Sequence, residues 1–509
     1  MKFNFSVKAK AATVNYEGAK AYSLTPEMEM YSAVATTMLS DTFYEKADER
    51  MERMIALMSK LSPLFIAKLA VYARNEMNLR SVPVLLAAEL AKIHQGDNLV
   101  SKTIERIVKR PDEITELLAY YQLTNKRTAV KKLNKVSKQV QKGLAASFNN
   151  FDEYQFAKYD RDTEVKLRDA LFLVHPKAKD ENQQVIFNKI VNKELSVPYT
   201  WETELSALGQ VKFETAEVKK NAVKTKWEEL IDSQKIGYMA LLRNLRNILD
   251  ANVDTAYIRK IGDYLANEKA VANSKQLPFR FLAAYREIKG VNSGYTSYIL
   301  DALEKAIQLS VRNMQGFNLD TRVVVACDVS GSMQKPISAK SKVLLYDIGL
   351  LLGMLLRSKS ENVVTGMFGD KWKQVPLATK NVLASVDEFY KREGEVGYAT
   401  NGYLVLEDLI SRKYASDKVM FFTDTQMWDS NTRNAFAKNT MRDKWLAYKK
   451  IAPGAKLYLF DLAGYGKMPI RTEDNDVYII AGWSDKIFDV LNAMEDGSNA
   501  LKMIEQIEL

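Results

Sequence analysis

Asp328, Ser330 and Ser332 stand at alternate positions at the end of the run Val323-Val-Val-Ala-Cys-Asp-Val-Ser-Gly-Ser-Met333. One carboxylate and two hydroxyls are hard oxygen ligands, which suit Mg²⁺ or Mn²⁺ and neither zinc nor copper. The β-branched run before them predicts a strand buried on both faces, as in a parallel sheet. Open α/β sheets place their ligands just beyond the carboxyl ends of such strands, which is where the three oxygens fall. Other chemistry is poorly served. The chain has two histidines and one cysteine, too few for most zinc or thiol sites. It has neither a G-x-x-x-x-G-K-[ST] phosphate loop nor a G-x-S-x-G nucleophile elbow, and we do not expect an enzyme.

The elements around this motif read as alternating strand and helix. Strands are expected at Val323–Cys327, Val363–Phe368, Val419–Asp424, Lys456–Asp461 and Val477–Ile480, with a first helix over Ser341–Leu356. The pattern predicts a doubly wound α/β domain with right-handed crossovers. The apolar stretch Val343–Leu356 carries Asp347 and is too short to span a bilayer, so it reads as a buried helix. Alternation puts Cys327 on the face opposite Asp328, in the core.

The preceding 300 residues read differently. From Ser23 to about Met314, apolar residues recur at three- and four-residue spacing, through Lys46–Leu61, Pro63–Met77, Val82–His94, Leu99–Lys109 and Ile114–Leu123. Helices of similar length suggest stacked pairs, as in HEAT-like solenoids. A helix over Lys126–Lys142 holds Lys126, Arg127, Lys131, Lys132, Lys135, Lys138 and Lys142 without an acid. Lys131, Lys135, Lys138 and Lys142 share one face. That face is either a solvated lysine stripe or a surface for an anionic partner. His175 and His94 both read as helix-end residues, favourably placed near the helix dipole.

Composition bounds the rest. The chain has 509 residues, 47% of them hydrophobic, and a net charge of +10. That length calls for more than one domain. Residues 1–318 carry 48 Lys+Arg against 38 Asp+Glu, and residues 319–509 carry 25 against 25. The excess therefore lies in the N-terminal part, where a polyanion would bind. A single cysteine, an N-terminus without an export signal and no span-length apolar run predict a cytoplasmic protein with no membrane association.

Several segments carry a resemblance. The D-x-S-x-S motif resembles the metal-ion-dependent adhesion site of von Willebrand factor A domains. That likeness implies two further ligands, Thr400 in Gly397-Tyr-Ala-Thr-Asn-Gly402 and Asp424 in Val419-Met-Phe-Phe-Thr-Asp424. It also fits better than a nuclease-like pair of Asp328 and Asp424. Tyr72-Ala-Arg-Asn-Glu-Met-Asn-Leu-Arg-Ser-Val-Pro83 resembles a segment of bacterial Ro-type proteins. Leu167-Arg-Asp-Ala-Leu-Phe-Leu-Val-His-Pro-Lys177, Trp227-Glu-Glu-Leu-Ile, Met239-Ala-Leu-Leu-Arg-Asn-Leu-Arg-Asn247 and Leu277-Pro-Phe-Arg-Phe-Leu282 are similar to signatures of the TROVE domain. This order of domains is that of the Ro 60 kDa autoantigen family, here of the bacterial or phage type.

The resemblance implies a TROVE domain over 1–318, a ring of HEAT-like helical repeats, and an A-like α/β domain over 319–509 that joins its ends. It implies a ribonucleoprotein component that binds small non-coding Y-like RNA on its outer basic surface. Single-stranded ends of misfolded RNAs would enter the central hole, in RNA quality control or processing. His175 matches the family's RNA-binding histidine, and Ala157-Lys-Tyr-Asp-Arg161 matches its basic stretch, giving Lys158 and Arg161. Asp160 and Asp162 depart from that pattern and make the surface less basic. Arg243 and Arg246 either line an RNA path or join a polar network between repeats, and Arg280 and Arg286 are similar cases. The expected cofactor is Mg²⁺ or Mn²⁺. A protein partner, such as an exoribonuclease, is expected to bind through the A domain of a monomer. The alternative reading is a metal-dependent protein-interaction scaffold.

Overall fold

The structure is a computed structural model, and it describes residues 13–16, 19–37, 45–124, 136–310, 320–337, 341, 343–376, 380–427, 441–470, 476–482, 486–495 and 500–509. The chain forms two compact units. One comprises Met58–Tyr264, Val291–Thr296 and Ile504–Leu509; the other comprises Met1–Leu57, Leu265–Gly290 and Ser297–Met503.

The first unit is helical throughout its described residues. Pro63–Asn75 begins with proline at its first position and Ser62 as cap, its hydroxyl accepting the Phe65 N–H at 3.1 Å, the arrangement such a start favours. Ser81–Ile93, Leu99–Ile107 and Pro111–Thr124 follow. Each helix packs on the next but one: Pro63–Asn75 on Leu99–Ile107, Ser81–Ile93 on Pro111–Thr124, and Leu99–Ile107 on Lys138–Phe148. That is the signature of stacked helical pairs. The last contact needs glycine, because a Cβ on Gly143 would meet the Ser101 carbonyl oxygen at 2.7 Å.

The single helix expected over Lys126–Lys142 is not formed. Ser137 is extended, and its hydroxyl accepts the Gln139 N–H to cap a helix that starts at Lys138. Serine favours a cap over a helix interior. Lys131 and Lys135 lie outside the described residues.

Among the described residues the second unit has nine strands: β1 (Thr13–Val14), β2 (Lys20–Ser23), β3 (Val323–Asp328), β4 (Val363–Phe368), β5 (Trp372–Gln374), β6 (Lys418–Thr423), β7 (Lys456–Asp461), β8 (Lys467–Met468) and β9 (Val477–Ala481). The main sheet runs β5-β4-β3-β6-β7-β9, parallel except for the antiparallel edge strand β5. The chain order reverses between β3 and β6, which is the point where such sheets bind ligands. Every residue of β3 and β6 is buried, as their apolar runs predict. The helix expected over Ser341–Leu356 forms as Leu345–Arg357. A small sheet β1-β2-β8 ties the N-terminal segment to this unit.

The compact units do not divide at the boundary expected at 318/319. Helices Pro26–Ala35 and Pro278–Lys289, and most of Thr296–Ser310, pack with the sheet. The reason is a set of long-range polar contacts. The Tyr31 hydroxyl donates to the Ala481 carbonyl at 3.0 Å. Glu304 accepts the Leu383 and Ala384 N–H groups at 3.1 and 2.8 Å. Arg286, for which the sequence left an RNA path and a polar network open, joins a polar network. Its guanidinium grips the fully buried Asp347 at 2.7 and 2.9 Å and reaches Asp387 at 3.2 Å.

Removing one partner of a buried pair leaves an uncompensated charge. We predict that Arg286→Met lowers stability by about 3–5 kcal/mol, read as a shift of the denaturation midpoint. Lys289→Ala removes only the exposed partner of Asp387 and should cost less than about 1 kcal/mol.

Candidate functional site: a metal centre and a basic helical surface

Asp328 ends β3, and Asp424 directly follows β6. The two strands pair in parallel with Cys327 opposite Phe422, so both carboxylates emerge at the same edge of the sheet. Ser330 donates its N–H to Asp328 Oδ1 at 2.9 Å, and the Ser330 and Ser332 hydroxyl oxygens are 3.3 Å apart. The Ser332 hydroxyl is near enough to Asp424 to favour its charged form. Thr400 lies in the loop whose Tyr398 carbonyl accepts the Gly331 N–H at 3.1 Å. Gly397 turns that loop with φ +73, and a Cβ there would collide with the Asp370 carboxylate. All five expected ligands are at most 5% exposed. The structure thus brings the four strand-end residues together and sets Thr400 in the adjoining loop.

Sequence reasoning missed the supporting shell. The Thr423 hydroxyl donates to Asp328 Oδ2 at 2.6 Å and orients the carboxylate. Gln426 donates its N–H to Asp424 Oδ1 at 3.0 Å and accepts the Tyr16 N–H at 2.9 Å. Thr425 between them has φ +65, a costly conformation for a β-branched residue. Strain of this kind clusters at functional sites. The threonine hydroxyl three residues before Gln426 was the one readable signal, since it directly precedes the predicted ligand.

Electrostatics mark the same place. Burial, and then the neighbouring Asp328, push the Asp424 carboxyl up to about 8. Asp424 Oδ2 is buried and has no hydrogen-bond partner. Asp461, at the end of the next strand, is also raised by burial, although it accepts hydrogen bonds from the Ser32 hydroxyl and from the Ala463 and Gly464 N–H groups. No group of three His, Cys, Asp or Glu side chains that could hold a metal occurs among the described residues. The set here is two carboxylates and three hydroxyls, an all-oxygen donor set that fits a hard divalent cation. Cys327 is buried and its thiol raised by burial, which makes it unreactive.

The other candidates lie on the helical unit. Lys138 and Lys142 are exposed one turn apart on Lys138–Phe148. Lys158, exposed, rests its ammonium 5.7 and 5.8 Å from the Tyr154 and Tyr159 rings. His175 is exposed and caps the helix Leu167–Val174 in the left-handed region, at φ +48. Arg161 lines a groove of about 800 Å³ with Arg168, Phe172 and Lys193, which the sequence had not singled out. Lys166, in the same groove, pairs with Asp162 at 2.6 Å. Arg243 and Arg246 are exposed on Tyr238–Asp250, whereas Asn244 is buried and bonds to the Ala240 carbonyl. The two arginines are therefore surface groups rather than members of a buried network.

The TROVE domain model matches residues 8–195 and 192–315, more than half of the chain. The chain belongs to the TROVE domain family. Among characterised relatives, it is 25% identical to telomerase protein component 1 of Mus musculus over 309 residues, 45% of this chain and 11% of that protein. The Rattus norvegicus protein of the same name is 24% identical over 341 residues, 51% of this chain and 12% of that protein. The chain thus spans only about a tenth of the length of these relatives. The crystal structure of the Deinococcus radiodurans RO (RSR) protein superposes with a TM-score of 0.58 at 16% identity, covering 93% of this chain and 100% of that one. The two share a fold. All the basic candidates lie within the TROVE-matched residues, and all the metal-site candidates lie beyond them.

The raised Asp424 carboxyl has a consequence for pH. Without a cation the folded protein holds this proton more tightly than the unfolded chain, whose carboxyl titrates near 3.8. That preference stabilises the fold below the unfolded value and is lost as pH rises through about 8. A cation must displace the proton, so its binding strengthens over the same window. We predict that Mn²⁺ raises the melting temperature more at pH 8 than at pH 6. Asp424→Asn should abolish both the gain and its pH dependence; a gain that is equal at both pH values would contradict the assignment.

Proposed function

We propose that the protein is an RNA-binding ribonucleoprotein component that holds small structured non-coding RNAs, Y-like RNAs among them, and takes up their single-stranded ends. The observation that carries this reading is the display of Lys138, Lys142, Lys158, Arg161, His175, Arg243 and Arg246 on exposed faces of the TROVE-family helices. Membership of the family, and the RO protein fold it shares, support the same reading. Backbone and shape contacts suit this surface, since phosphates position an RNA without reading its sequence. Quality control or processing of RNA, in the cytoplasm, is the role that fits a preference for free ends.

The α/β part, in this proposal, is a von Willebrand factor A-like domain whose adhesion site takes Mg²⁺ or Mn²⁺ on Asp328, Ser330, Ser332, Thr400 and Asp424. The unpartnered Asp424 Oδ2 favours this second role. A cation there would offer its open position to a carboxylate of a protein partner, an exoribonuclease being one candidate. The two roles are compatible, the first acting through the helices and the second through the sheet.

Binding should favour a structured RNA with a single-stranded 3′ tail over the same RNA made blunt. Each phosphate contact should contribute a slope of roughly −0.7 in log affinity against log salt. Lys138→Ala with Lys142→Ala should weaken binding and flatten that slope without unfolding, because both side chains are solvated. Equal affinity for tailed and blunt RNA, measured by filter binding, would refute the preference for free ends.

A further inference from the structure

The helices Trp201–Gly209, Ala216–Asp232 and Tyr238–Asp250 border an open pocket of about 530 Å³ that no expected site residue predicts. The size is that of a small-ligand site. Leu205, Leu208, Phe213 and Val223 wall it, with the buried indole of Trp227 behind them. Trp227 stacks on Trp201, the ring centres 6.3 Å apart and the planes 18° from parallel, which fixes the indole in place. The mouth is polar. It carries Lys219, Lys220, Asn247 and Asp250, all exposed.

The lysines distinguish this pocket from an ordinary gap between repeats. Further along the same helix, Lys224 pairs with Asp254 at 2.5 Å and Lys226 with Glu229 at 2.6 Å. Lys219 and Lys220 make no ion pair among the described residues. On the facing helix, Arg243, Asn247 and Asp250 share one exposed stripe by their spacing of four and three residues. Asn247 donates to Asn244 Oδ1 at 3.0 Å and is itself exposed. The mouth thus combines two free ammonium groups, a nearby guanidinium, an amide and a carboxylate.

Resting on the RNA reading above, we propose that this pocket holds one unpaired nucleobase of a bound single-stranded RNA, with the adjoining phosphates on Lys219, Lys220 and Arg243. A base has two apolar faces for the pocket walls and an edge of N–H and C=O groups for Asn247 and Asp250. An acidic peptide would also satisfy the lysines, but a Glu or Asp side chain brings no N–H donor to Asp250, which a base edge does. A duplex cannot supply the base, because its bases stay stacked in the helix. A base seated against aromatic rings is worth about 1–3 kcal/mol, so the preference should be at least about fivefold in affinity.

The test compares an unstructured ten-nucleotide RNA with the same strand made abasic at every position. The full chain should bind the base-bearing strand at least about fivefold tighter. Ala216→Trp plugs the pocket from an exposed position that lines it. It should abolish that preference and leave abasic binding unchanged. Lys219→Ala with Lys220→Ala should weaken both strands alike, and this exposed pair keeps the test open should Ala216→Trp not fold. Equal wild-type binding of the two strands overturns the base pocket while leaving RNA binding standing. Failure of both strands to bind overturns the RNA reading and the pocket with it. Displacement of the RNA by an acidic Leu/Glu helical peptide, with no effect of the bases, assigns the pocket to a protein and also overturns the inference.

Discussion

Three carboxylates buried side by side at the carboxyl end of one parallel sheet are the constraint on which the α/β unit is built. Asp328 and Asp461 end strands β3 and β7, Asp424 directly follows β6 between them, and each is at most 1% exposed. Burying charge in this way is costly unless each oxygen is satisfied. Asp328 is satisfied by Thr423 and the Ser330 N–H. Asp461 is satisfied by two backbone N–H groups and by Ser32. Ser32 belongs to the helix Pro26–Ala35, so that requirement draws a helix from the far end of the chain onto the sheet. Asp424 alone keeps an oxygen without a partner, and this is the position where a cation would neutralise the cluster.

Local pattern made much of this legible. Val363–Phe368 and Lys456–Asp461 form strands with the bounds their apolar runs suggest, and the D-x-S-x-S motif falls at the sheet's reversal point. Burial on both faces leaves such strands no other pattern. What local pattern could not show was long-range. Arg286 reads in the sequence as either an RNA contact or a member of a polar network, and its partner Asp347 lies 61 residues away. Glu304 reaches the start of another helix from 79 residues off. These contacts, rather than composition, decide which helices travel with the sheet. The start of the helix at Lys138 had a local reason that was readable: Ser137 precedes it, and serine before a helix is a cap.

The two candidate functions differ in physical character. The candidate metal site is buried, and the pH response predicted for it follows from two carboxylates sharing that space. The RNA surface is wet, its cations spread over several helices, and its affinity should follow salt rather than pH. One chain can carry both because the charged helices and the ligand-bearing strands occupy different segments. The Lys219–Lys220 pocket adds a third element, in which apolar walls supply what phosphate contacts lack.

Crosslinking tests the central claim most directly. The chain would be irradiated in living cells, and its RNA-bearing peptides mapped by mass spectrometry. The account predicts crosslinks in the helical segments between Met58 and Tyr264, to RNAs recovered with a free single-stranded end, and the same map for Asp424→Asn. Crosslinks confined to the strand ends around Asp328 and Asp424, or lost in that variant, would place the RNA at the sheet and contradict it.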